Sequence, residues 1–336
     1  MLSIQRFLSQ GETISALLRK LREERMPHAT LILGEAGIGK WTLAHAVAAA
    51  LLCESRDPAG RPCGKCRTCA QMEESAAPDL IVLQKGVPLV QTEVRSRIPV
   101  ADVEEMIRRI SLQGFQGSRR VVIIRHAEDL WEDAQNKLLK TLEEPPEGVF
   151  FLLTCRNEEL LLPTIISRCT LLKLHPWSEG EVLRALKEKG VPDARLKAAV
   201  REAGGSVGRA LQIAEDESFW KFREEVMRDF LGCSRRGDIL EISGRWRDRK
   251  GESDALFSIL ENTISELMRY SLGVEEALSV PGLPEKWKRF AQTAEPGDYT
   301  RLLDAMRQAR ERIHFQVSFQ AVLEQVLLSM LEAISV

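Results

Sequence analysis

Leu31-Ile32-Leu33-Gly34-Glu35-Ala36-Gly37-Ile38-Gly39-Lys40-Trp41-Thr42 decides how this chain is read. A short apolar strand runs into three glycines and then into an Ala- and Leu-rich helix. Gly34 to Lys40 satisfies the phosphate-binding pattern G-x-x-x-x-G-K-[ST] up to its last position. The amides of such a loop, with the N-terminus of the following helix, favour an anion. Gly37 and Gly39 permit the left-handed backbone and close approach that a phosphate needs, and Lys40 supplies a cation. Where the pattern wants Ser or Thr to hold Mg²⁺, the chain has Trp41. Thr42 comes one place late, and on a helix that turns its side chain by about 100°. The loop keeps its phosphate cradle and lacks its metal ligand.

The rest of the composition sets the frame. A chain of 336 residues accommodates two or three domains with ample core. Hydrophobic residues at 44% and charged residues at 29% are those of a soluble globular protein. A formal charge of −2 gives no global basic footprint for nucleic acid. No apolar run is long enough to span a membrane, and the first residues do not read as a signal peptide, so a cytoplasmic protein without a membrane partner is expected. The seven cysteines are an odd number with four clustered. That suits a metal site in a reducing compartment better than a disulfide framework.

Apolar periodicity predicts a helix over 3–26, the loop strand at 29–33 and a helix over 40–53. Strands follow at 79–83, 120–124, 149–154 and 170–174, with helices over 99–110 and 131–143 between them and a short helix or turn at 163–169. Strands alternating with helices, and continuous apolar runs such as Val121-Val122-Ile123-Ile124, predict an α/β domain with a parallel sheet. After His175-Pro176 the strand signals stop. Residues 178–216 read as a small helical unit. From Phe219 on, the pattern is long helices, with loops near 233–237 and 280–284 and a last helix over 315–334. Domain boundaries are placed near 176 and 218.

Cys53, Cys63, Cys66 and Cys69 give C-x9-C-x2-C-x2-C. A C-x2-C pair sets two thiolates on one ion, and four thiolates close a tetrahedral Zn²⁺ site with no position left for a reacting water. A structural zinc knuckle in an insertion at 53–69 is the expectation. Free thiols and an iron–sulfur cluster are the alternatives. Cys155 and Cys233 read as buried apolar residues.

In P-loop ATPases the strand corresponding to 120–124 ends in an acidic pair, one acid on Mg²⁺ and one activating water. Here those places hold Arg125 and His126. A guanidinium repels Mg²⁺ rather than binding it. His126 is read as a packing or surface residue, with a general base as the alternative. Glu128 and Asp129 are read as acids at a helix N-terminus. Metal ligand, water activator and loop hydroxyl are missing together, which points to a retired ATPase.

With these residues in place, the chain resembles the delta-prime family of bacterial DNA polymerase III clamp-loader subunits over most of its first 215 residues. The resemblance rests on His28-Ala29, Gly34 to Lys40, the cysteine insertion directly after the loop helix, and Asn136-Lys137-Leu138-Leu139-Lys140-Thr141-Leu142-Glu143-Glu144-Pro145-Pro146. It also rests on Ser167-Arg168-Cys169 and on Gly205-Ser206-Val207-Gly208-Arg209-Ala210-Leu211. It implies an AAA+ P-loop domain at 1–176, a helical lid at 177–217 and a helical collar at 218–336. It implies assembly with gamma/tau and delta subunits into a loader that opens the sliding clamp and places it on primer–template DNA. By the same resemblance Arg209 is the lid arginine, Thr154 the first sensor, and Arg168 an arginine finger offered to a neighbour's nucleotide. Gly34, Gly37, Gly39, Lys40, Thr42 and Arg209 would frame a degenerate nucleotide site in which ATP or ADP is weakly held or absent. The competing readings are an active gamma/tau-type ATPase and a stand-alone DNA-binding factor. The second would use the basic stretch of Arg235, Arg236, Arg245, Arg247, Arg249 and Lys250, read otherwise as a solvated loop and helix face.

Overall fold

The computed structural model describes residues 4–74, 77–90, 97–111, 119–274, 280, 282–315 and 317–334, with the backbone alone at 5, 194 and 314. It divides into two compact units. One is Met1–Trp177 with Ser206–Gly208, the other Ser178–Gly205 with Arg209–Val336.

The first unit is built on five parallel strands: β1 (Ala29–Leu33), β2 (Leu80–Leu83), β3 (Arg120–Ile124), β4 (Val149–Cys155) and β5 (Thr170–Lys173). They lie in the order β2-β3-β4-β1-β5. β1 and β3 are buried at every position, as their unbroken apolar runs require when both faces of a parallel sheet are covered. Helices α1 (Glu12–Arg22), α2 (Lys40–Leu52), α3 (Arg67–Glu73), α4 (Val100–Ile110), α5 (Glu132–Glu143) and α6 (Pro163–Ile166) belong to this unit. One apolar cluster joins α1 and α2 to the sheet, another α4 and α5. Small side chains let α2 sink among its neighbours, leaving only Trp41 and Thr42 less than fully buried along it.

The second unit is helical: α7 (Glu179–Glu188), α8 (Asp193–Glu202), α9 (Val207–Glu215), α10 (Glu217–Val226), α11 (Arg236–Trp246), α12 (Ser253–Ser271), α13 (Glu285–Thr293), α14 (Pro296–His314) and α15 (Phe319–Ala333). Ser178 and Glu181 form a capping box that starts α7. The core is continuous from Val226 to Leu331 around Trp246, Trp287 and Tyr299, all fully buried.

Two expected helices are broken. The one over 3–26 is a 3-10 segment, Ile4–Gln10, followed by α1. Gly11 between them takes φ +90°, outside the helical region. The one over 315–334 starts only at Phe319, because Phe315 closes α14 and is 78% exposed. Ser3, and Pro281 of the expected loop, lie outside the described residues.

Candidate functional site

The register of the sheet brings the site together. Leu33 pairs with Cys155 on one side and Lys173 on the other, and Ile124 pairs with Leu153. Gly34, Arg125 and Thr154 therefore emerge at one edge, the carboxyl ends of the strands. The loop from Gly34 to Gly39 turns through positive φ at its three glycines, 151°, 72° and 107°. A Cβ on Gly34 would stand 2.9 Å from the Leu174 carbonyl oxygen, and one on Gly39 3.1 Å from the Phe7 ring. Lys40 Nζ donates to the carbonyl oxygens of Gly34 and, at 2.8 Å, Glu35. Burial lowers the Lys40 pKa, an effect opposed by the Glu128 carboxylate. The loop tip is held from outside: Ser206 Oγ donates to Ala36 O at 2.9 Å and Gly208 N to Gly37 O at 2.8 Å.

The metal side of the site is changed in substance. The Arg125 guanidinium lies over the Trp41 indole, 5.2 Å from its centroid, and Arg125 Nη1 donates to Gln84 Oε1 at 3.2 Å. Trp41 also stacks on His45, 5.5 Å between ring centroids, whose pKa is lowered by burial. The two residues in the places of the metal ligands thus meet each other as a cation–π pair. Neither offers an oxygen to Mg²⁺, and Thr42 is exposed. These residues do not fit a magnesium nucleotide.

Glu128 and Asp129 are not at a helix N-terminus. They sit in a 3-10 turn, and α5 begins at Glu132, whose own first turn carries Glu132 and Asp133. Glu128 is buried. Its Oε1 accepts from Arg156 Nε at 2.9 Å and Arg156 N at 3.3 Å. Burial alone would raise its pKa, but backbone and Arg156 hydrogen bonds, with His126 beside it, hold the carboxyl below its usual range. His126 adopts φ +56°, its amide donates to Thr154 Oγ1 at 3.0 Å, and its Nδ1 is 3.4 Å from Glu128 Oε1. Buried Thr154 thus ties β4 to the end of β3. An acid four residues beyond the strand end was the available signal for Glu128, but its burial depends on Arg156 arriving from β4.

Cys53, Cys63, Cys66 and Cys69 bring four Sγ atoms within 4.8 Å of one another. Cys53–Cys66 and Cys63–Cys69 are each separated by 4.0 Å between sulfurs. A tetrahedron with Zn–S bonds of about 2.3 Å has edges of about 3.8 Å, so the cluster fits zinc. Amides of Cys63, Cys66 and Cys69 each donate to a cluster sulfur at 3.4 Å. Burial pushes the thiols of Cys53 and Cys69 up, whereas backbone amides bring Cys63 down to about 6. Cys155 and Cys233 are buried elsewhere.

Arg168 follows α6, and its Nη2 pairs with Glu143 at the end of α5. Its Nη1 donates to Thr164 O at 2.9 Å and Ser167 Oγ at 3.3 Å. Its side chain stays 32% exposed. Neighbouring Cys169 is half-buried, its thiol pushed up to about 12 by burial. Arg209 is exposed on α9 of the second unit. Much of the basic stretch is neutralised locally. Arg245 pairs with Asp229 and Glu241, Arg247 with Asp248, and Arg249 with Glu225 and Glu252.

A parallel sheet with a glycine-lysine loop after its internal strand β1 defines a phosphate-binding P-loop fold. The family model described as "DNA polymerase III, delta subunit" matches residues 9–178, and the chain belongs to that family. It is 26% identical to the DNA polymerase III subunit delta' of Bacillus subtilis, over 96% of each chain. It is 34% identical to the delta' subunit of Escherichia coli, over 66% of this chain and 64% of that one. It is 31% identical to the tau/gamma subunit of Haemophilus influenzae, over 62% of this chain and 30% of that one.

Proposed function

We propose that this chain is a non-hydrolysing subunit of a replicative clamp loader. It assembles in the cytoplasm with gamma/tau-type and delta subunits to place a sliding clamp on primer–template DNA. The reading divides it into a P-loop domain at 1–176, a lid at 177–217 and a collar at 218–336, with a structural Zn²⁺ on Cys53, Cys63, Cys66 and Cys69. The observation that carries it is the Arg125–Trp41 pair in the place of the metal ligands. A chain built this way gains nothing from an arginine after its fourth strand, but a neighbour does. Arg168 is therefore the arginine finger supplied in trans. Phosphoryl transfer builds charge on the γ-phosphate oxygens, and a planar guanidinium aimed there stabilises the transition state. The Glu143 pair supports this reading, because a half-exposed ion pair is worth under about 1 kcal/mol and yields readily to a phosphate.

The test is a loader reconstituted with Arg168→Ala or Arg168→Lys. Intact assembly and retained ATP binding by the partner, with hydrolysis reduced on the order of 10³-fold, is the expected result for both. Undiminished hydrolysis by an assembled Arg168→Ala loader overturns the finger. Magnesium-dependent ATP turnover by the purified chain favours the gamma/tau-type reading instead.

A further inference from the structure

At the carboxyl end of α2, the opposite end of that helix from Lys40, a cavity of about 260 Å³ opens between α1, the start of β4 and the cysteine insertion. Its floor is Leu18, Leu21, Met26 and Phe150. All four are half-buried side chains packed on the core of the first unit, so this is a place where the chain leaves its own core incompletely covered. An apolar cavity of about 150 Å³ already accepts a benzene ring, so the space here admits a bulky apolar side chain.

The rim is cationic. Among the described residues, Arg22, Arg61 and Arg119 border the cavity with a single carboxylate, Glu24. Arg61 Nη1 and Arg119 Nη2 both donate to Glu24 Oε1, at 2.6 and 3.0 Å, from positions far apart in the chain. Glu24 itself takes φ +56°. It is the left-handed residue that closes α1: Arg25 N donates to Lys20 O at 2.9 Å and Glu24 N to Leu21 O at 3.3 Å, which fixes where the Glu24 carboxylate stands. Arg61 and Arg119 also reach the carbonyls of Ser55 and Leu51. The Arg22 side chain is exposed and makes no hydrogen bond or ion pair with another described residue. Three guanidinium groups against one carboxylate leave an excess of positive charge around an apolar opening. A basic ligand is repelled there, and a neutral one forgoes the charge contacts.

We propose that this cavity is a docking site for an acidic peptide segment of a partner protein. The segment places a bulky apolar side chain against Leu21 and Phe150 and a neighbouring carboxylate against Arg22 and Arg119. Pro58 to Pro62 of the cysteine insertion form one wall, which gives the insertion a role in recognition whatever ion its cysteines hold.

The test uses the full chain with methyl-labelled methionine, the Met26 resonance being assigned with Met26→Leu. The probe is a tetrapeptide of two aspartates, leucine and phenylalanine, with a blocked amino end and a free carboxyl end. A saturable shift of the Met26 methyl is expected with a midpoint below about 1 mM, weakened roughly tenfold by Arg22→Glu. Ala59→Trp, which sets an indole at the mouth from an exposed position, should abolish it. Arg22→Glu, a surface change, carries the test alone if Ala59→Trp unfolds. The proposal is overturned by an unmoved Met26 at about 1 mM peptide, by an equal response to the peptide with lysines for aspartates, or by an undiminished response in Arg22→Glu.

Discussion

Trp41 and Arg125 are each a single departure from a nucleotide site, and their meeting makes the departure coherent. Trp41→Ser alone leaves a guanidinium where Mg²⁺ belongs, and Arg125→Asp alone leaves no hydroxyl. Only the double variant restores both ligands. We expect calorimetry to find its MgATP affinity at least tenfold above that of the native chain, a gain of about 1.4 kcal/mol, and each single variant to fall well short. A native MgATP affinity already in the micromolar range would show that the pair does not obstruct the metal. Glu128 adds a pH dependence. Its folded pKa lies below the unfolded value of about 4.3. Its stabilisation is thus fully present above that value and lost as pH falls through the folded pKa. Glu128→Gln should flatten this acid limb in urea titrations. It should also cost about 1–3 kcal/mol at neutral pH, because Arg156 loses its charged acceptor.

Among the elements, the cysteine insertion depends on the cation proposed for it, and the 206–208 segment on the glycine loop it fits against. Thiolates that burial pushes toward the protonated form need a cation to stay deprotonated. Metal analysis should find one zinc per chain, and a strong chelator or acidification should release it. Hydrogen exchange should then rise across 53–69 while β1, β3 and β4 keep their protection; iron in place of zinc would contradict the assignment. The 206–208 segment fits against the loop because position 208 lacks a side chain. A Cβ there would stand 2.9 Å from both Cα and O of Gly37. Gly208→Ala should destabilise the fold by about 1–3 kcal/mol, the usual cost of forcing atoms into a packed contact. Unchanged denaturant midpoints would show that the loop tip yields freely.

Over the whole molecule, the helices between Ser178 and Gly205 belong to one unit with those after Arg209. Buried charges help to explain the grouping. Arg201 of α8 pairs with Glu266 of α12, and Ser258 of α12 donates to Glu202 of α8 at 2.8 Å. Arg223 of α10 is buried, its pKa drawn down by burial and opposed by Glu202 and Glu266. Removing one partner of a buried pair strands the other, at a cost of about 3–5 kcal/mol. Glu266→Ala should therefore loosen the second unit, exposing Trp246 and Trp287 to exchange at lower denaturant, and leave the first-unit sheet unaffected. An equal loss of protection in both units would mean that the two unfold as one.

The local physics of the first unit was legible in the sequence. Gly34, Gly37 and Gly39 are glycines because the loop turns through positive φ, and the apolar run of β3 announces a strand covered on both faces. The cysteine spacing anticipated the gathering of four sulfurs, and Trp41 and Arg125 show by residue type alone that their side chains offer no oxygen to a magnesium ion. Sequence could not show that Trp41 and Arg125 stack, that Glu128 is buried against Arg156, or that Arg168 rests on Glu143. Those partners lie 84, 28 and 25 positions apart, and only the parallel register and the packing of helices on the sheet bring them within reach. The cationic cavity is the extreme case. Arg22, Glu24, Arg61 and Arg119 carry no pattern along the chain, and their charges act together only because α1, the insertion and the approach to β3 converge on the end of α2.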